Sequence, residues 1–158
     1  MTDRDLARLD EQLKAAFEGP AWHGPAVLEV LAGLTAAQAA ACPIPGAHSI
    51  WELTLHLGGT YRLVQRRLDG DTRNLAAAED WPPLPAPTEH EWQATIEALR
   101  GLNVSVRRRI REKSMLDLDA PLVAEPAHSA FTQLFGITQH DLYHAGQMAL
   151  LKRALGLK

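Results

Sequence analysis

Apolar positions recur at a spacing of three and four along most of the chain, the pattern of helices that each bury one face. Leu6, Leu9, Leu13 and Phe17 predict a helix over Asp3 to Glu18, stopped by Gly19-Pro20. Val27, Leu28, Val30, Leu31 and Leu34 predict a shorter one over Pro25 to Leu34. Thr35 with Gln38 forms a capping box that opens an alanine-rich turn or two, broken by CPIPGA at 42–47. Ser49 with Glu52 repeats the box, and the helix it opens runs to about Leu68, where Asp69-Gly70-Asp71 stops it. Pro82, Pro83, Pro85 and Pro87 mark 71–87 as a long connection. Thr88 with Glu91 starts a helix through Trp92, Ile96, Leu99, Leu102 and Val106 that ends near Lys113. A second joint, 114–127, contains Pro121 and Pro126, with Leu122-Val123-Ala124 a candidate extended stretch. The last helix runs from about His128 or Ser129 to Ala154. No convincing strand pattern occurs. The expected fold is all-α: a four-helix bundle with long connections and short N-terminal helical segments, one domain over residues 1–158.

Composition narrows the function classes. With 46% hydrophobic and 22% charged residues the chain reads as globular rather than disordered. A formal charge of -3 provides no basic field for nucleic acid. Cys42 is the single cysteine, so an internal disulfide and any CxxC zinc or redox motif are excluded. The N-terminal stretch lacks the apolar core of a signal peptide, and no run of about 18 apolar residues could span a membrane. A cytoplasmic protein with no nucleic-acid or membrane partner is expected. Its seven histidines are the candidate chemistry.

His140 and His144 lie four apart in HDLYH, a spacing that lets two imidazoles on one helix face chelate one ion. The zincin glutamate of HExxH is absent. On a helical wheel with His140 at 0° and about 100° per residue, His144 falls near 40°, Gln133 and Leu151 near 20°, Ile137 near 60°, Met148 near 80° and Gln147 near -20°. The pair therefore shares a largely apolar face with two glutamines, and that face should point into the bundle. His56 in WELTLHLGGTYRL is the best third ligand. It shares the inward half of its helix with Leu53, Leu57, Leu63 and Val64, and Gly59 and Thr60 one turn on leave room for a ligand or a close helix approach. Three histidines with an open position form the catalytic rather than the closed structural arrangement.

HSIWELTLHL (48–57) with HDLYHAGQMALLKRAL (140–155), preceded by AWHGPAVLEVLAGLTAAQAA (21–40), resembles the DinB/YfiT-like family of four-helix metalloproteins over essentially the whole chain. The resemblance implies a metal triad of His56, His140 and His144, one divalent ion per chain (zinc or nickel foremost), and a homodimer. It further implies a small-molecule substrate and the chemistry of a metal-dependent hydrolase or of an S-transferase using a low-molecular-weight thiol. The alternative is a non-catalytic metal- or small-molecule-binding stress-response protein. A third reading is an interaction module with core histidines.

Surrounding residues divide by position. Gln147, one turn from His144, either orients water or substrate or packs at a helix interface. Asp141, near 100° on the same wheel, reads as a solvent-facing charge in preference to a partner of a ligand ring. Glu52 is the capping residue in preference to a general base. Tyr143 near -60° reads as core with its hydroxyl at the rim, and with Thr60 and His48 it is a candidate substrate contact. His48 and His23 otherwise read as turn residues, and His90 and His128 as solvated. Cys42 reads as a small packing residue. Arg107, Arg108, Arg109, Arg111 and Lys113 read as a solvated face that favours the helix dipole, with an anionic substrate the lesser reading. Trp22, Trp51, Trp81 and Trp92 read as core or dimer-interface anchors.

Overall fold

The computed structural model describes residues 3–112, 116–123 and 128–157. Its helices are α1 (Asp3–Glu18), α2 (Val27–Leu31), α3 (Ala36–Ala40), α4 (Ile50–Leu68), α5 (Ala77–Asp80), α6 (Glu89–Glu112) and α7 (Ala130–Ala154). The four long ones close into a ring: α4 packs on α6 and α7, and α1 packs on the same two from the opposite corner. This is an all-α four-helix bundle, and among the described residues it contains no strand, only a Pro121–Ser129 bridge. That bridge lies beside the stretch expected to be extended; Ala124 of that stretch falls outside the described residues, as does Lys113.

The helix starts follow from local chemistry. Ser49 Oγ accepts from Glu52 N at 3.1 Å while Glu52 Oε2 accepts from Ser49 N at 2.7 Å, and Thr35 and Gln38 form the same reciprocal pair. Thr88 Oγ1 accepts from Glu91 N, but Thr88 N bonds Ala86 O, so only half of that box forms. The helix expected from Pro25 to Leu34 is one turn and a half, Val27–Leu31. Leu6, Leu9, Leu13 and Phe17 all enter the core, as their spacing requires. Trp51 and Trp92 sit there fully buried, with their indole N–H groups on Thr95 Oγ1 and Leu34 O. Burying each indole without loss of its hydrogen bond is what makes such large side chains stabilising.

Two expectations are corrected by packing and a third is narrowed. Arg107 is not solvated: it spans α6 to α1 with hydrogen bonds to Asp10 and Glu18 and is only 12% exposed. Cys42 is exposed rather than packed. Trp22 is 96% exposed, which removes the core alternative of its reading and leaves that of an interface anchor. The connection 71–87 also carries structure of its own, the short α5, which lies back along α4. Arg66 pairs with Glu79 and holds it there. Gly59 makes this approach possible, because a Cβ at that position would stand 2.7 Å from the Glu79 carbonyl oxygen.

Candidate metal centre

α4 delivers His56, and consecutive turns of α7 deliver His140 and His144. The three Nε2 atoms meet: His140 Nε2 is 3.1 Å from His56 Nε2 and 3.1 Å from His144 Nε2. The ligand atoms of all three lie within 4.8 Å of one another, a group able to hold a metal ion. A tetrahedral ion with Zn–N bonds near 2.0–2.1 Å spaces its nitrogens by about 3.3 Å. The observed separations are close to that.

The opposite side of each ring decides which nitrogen is free. His56 Nδ1 lies 3.0 Å from both the backbone oxygen and Oδ1 of Asp80. Both are pure acceptors, so Nδ1–H donates and Nε2 keeps its lone pair. His144 Nδ1 donates to Gln147 Oε1 at 2.7 Å, with the same consequence. His140 Nδ1 is buried without a hydrogen-bond partner. Burial, reinforced by the two neighbouring imidazoles, holds the His140 pKa down at about 3. Burial also lowers that of His144, with His56 and His48 adding to it against the Gln147 bond and Asp80. Neutral rings with inward lone pairs are the state a cation requires. Without a cation, one ring proton at Nε2 satisfies a single pair of nitrogens and leaves the rest acceptor against acceptor. The donor set therefore fits a borderline transition ion, and outer hydrogen bonds orient two of its three rings as metal-bound histidines usually demand.

Residues 6–148 match the family model of the DinB superfamily. The chain belongs to the DinB superfamily. No curated protein and no solved structure matches it. Among the described residues of this DinB-superfamily protein, no helix is long and apolar enough to cross a membrane.

The other candidates fall into place unevenly. Gln147 reaches the cluster and holds a ring. Glu52 serves as the cap; burial pushes its carboxyl up, but the Ser49 bonds and the nearby His48 outweigh this and hold it below its ordinary value. His48, half-exposed, stacks on Trp81 at 3.8 Å, and Trp81 stacks on His56 at 4.1 Å with the rings 5° from parallel. Thr60 is half-buried one turn beyond His56 and makes no hydrogen bond to the cluster. Gln133 is remote from it, accepting from Arg67 and donating to His128 O. His23, His90 and His128 are exposed.

Two assignments reverse. Asp141 is fully buried, accepting from the Tyr61 hydroxyl at 2.6 Å, and touches no ligand ring. Tyr143 is 64% exposed, with its ring edge-on to His144. The buried residues of α7 explain both: they span about 20° to 160° on the wheel, so Asp141 near 100° is central and Tyr143 near -60° is opposite. The histidine pair at 0° and 40° occupies one rim of the buried arc, where the bundle meets the α5 segment. Asp80 and Trp81 are the residues that sequence reasoning missed as parts of the site. A single aromatic and a few acids in a connection rich in alanine and proline give no periodic signal; the tryptophan directly after an acid was the available cue.

Proposed function

We propose that this protein binds one divalent transition ion through His56, His140 and His144 and acts as a metal-dependent enzyme on a small molecule, with water or a low-molecular-weight thiol as nucleophile. The observation that carries the reading is the convergence of three Nε2 atoms, two of which, on His56 and His144, keep their lone pairs because the opposite nitrogens are already occupied as donors. A bound ion would supply Lewis acidity, which stabilises the deprotonated form of a thiol or of water at neutral pH. Asp80 fixes the His56 ring and Gln147 the His144 ring, so neither ligand must reorganise. Trp81 covers one face of His56 and keeps solvent from that side. His48, stacked on Trp81, retains solvent access.

One observation favours the thiol over water. Glu52 is spent on the helix cap and Asp141 on Tyr61, and Asp80 is turned to His56, so no unengaged carboxylate stands beside the cluster among the described residues. A thiol, with a pKa near 8.5, needs less help from a base than water does. The test is turnover by tag-free, metal-loaded protein on electrophiles offered with and without a low-molecular-weight thiol, beside a panel of esters and amides. Metal-dependent turnover that requires the thiol and is lost in His140→Ala is expected. Stoichiometric metal with no turnover across both panels would move the protein to the non-catalytic binding reading.

A further inference from the structure

We propose that a cleft of about 310 Å³ beside the histidine cluster binds a small, neutral, largely apolar molecule that offers a hydrogen-bond acceptor to Gln147. This names the substrate class of the metal site and rests on that reading only for the link to the ion. Ile44, Leu53, Leu150 and Leu151 form the apolar walls, and His48 and Gln147 the polar edge. No aspartate, glutamate, lysine or arginine lines the cleft. An ionic ligand entering it would give up hydration without meeting a counter-charge, which selects against acids and amines. Leu150 is 57% exposed although it walls a concavity, so a ligand seated there would remove apolar surface from water.

The polar edge joins the cleft to the cluster on two sides. Gln147 Oε1 is held by His144 Nδ1–H, which leaves the amide's two N–H groups with no protein acceptor among the described residues. They are the donors for a carbonyl, ether or similar acceptor. His48 stacks on one ring system of Trp81, which in turn stacks on His56. The cleft is thus separated from a ligand ring by one side chain on the Gln147 side and by the His48–Trp81 pair on the other.

Ligand-observed NMR titration of the metal-free chain with 2-butanone, 2-hexanone and 2-octanone tests the cleft without any metal. Affinity should rise about fourfold per methylene until the cleft is filled. Hexanoate should bind at least about tenfold more weakly than 2-hexanone, because its charge must be desolvated unpaired. Leu150→Asp, at an exposed position, should flatten the chain-length dependence, and Gln147→Leu should weaken all three ketones alike. Affinity independent of chain length, hexanoate bound as tightly as the ketone, or a Leu150→Asp protein indistinguishable from wild type would overturn the proposal. Cobalt(II)-loaded protein then tests the link: protons flanking the ketone carbonyl should broaden more than the terminal methyl. Failure to take up cobalt would contradict the metal reading and leave the ketone series to decide the cleft alone, whereas bound ketone without broadening would overturn the link.

Discussion

Around His56 and around Tyr61, five residues apart on α4, polar side chains of α7 meet polar side chains of α4 inside the bundle. The Tyr61 hydroxyl accepts from Asn103 Nδ2 at 2.8 Å and donates to Asp141 Oδ2 at 2.6 Å, so one oxygen ties α6, α4 and α7 together. Donor faces acceptor at each contact, although Asn103 Oδ1 and Asp141 Oδ1 are left without partners. Burial pushes the Asp141 carboxyl up to about 8 against the Tyr61 bond, which favours its neutral form. At His56 the outer nitrogens of two rings are paired, and the inner three share at most one ring proton, which leaves at least one acceptor facing another. The first cluster is tied together within the chain through the Tyr61 hydroxyl and serves the register of the helices; the second leaves inward nitrogens that a cation would satisfy.

That contrast can be broken most sharply by truncating one member of each cluster. His140→Ala should weaken zinc binding by more than about 100-fold in equilibrium dialysis, since losing an outer partner of a ligand alone costs 10–100-fold. Tyr61→Phe should instead cost about 1–3 kcal/mol of stability in urea, because two buried partners lose their bond, and leave zinc affinity within about twofold. If Tyr61→Phe abolished zinc binding, the two clusters would be one. Gly59→Ala drives a methyl against the Glu79 carbonyl and should displace the α5 segment from α4. A loss of about 1–3 kcal/mol by thermal unfolding with a parallel fall in zinc affinity is expected. Asp80→Asn keeps the backbone acceptor for His56 and should weaken zinc about tenfold without moving the melting temperature of the metal-free protein.

The two clusters also separate by pH. Asp141, with its pKa raised to about 8, contributes stability that is complete below about pH 4 and is lost as pH rises through about 8. His140, with its pKa lowered to about 3, works the other way: its contribution is complete above about 6.5 and is lost as pH falls toward 3. In metal-free protein Asp141→Asn should therefore remove the alkaline decline and spare the acid one. Urea melts between pH 3 and 9 check this, and a variant that still declines above pH 7 in parallel with wild type would assign the alkaline limb elsewhere.

The bundle and the histidine cluster were legible because both are written in helical periodicity. Leu6, Leu9, Leu13 and Phe17, the Ser49–Glu52 box, and the four-residue step from His140 to His144 are local patterns that an isolated helix already expresses. What failed was rotation. Centring the buried face of α7 on the histidines placed Asp141 outside and Tyr143 inside, whereas α1, α2 and α4 together bury an arc centred near Asp141. Asp80, Trp81 and the burial of Arg107 depend on contacts 24 to 97 residues apart in the chain, which no local spacing encodes.

X-ray absorption at the zinc edge of tag-free protein carrying one equivalent of zinc addresses the convergence of the three rings most directly. Three imidazole nitrogens at about 2.0–2.1 Å are expected, with one imidazole lost in His140→Ala. Zinc held by carboxylate or by Cys42, or a spectrum that His140→Ala leaves unchanged, would contradict it.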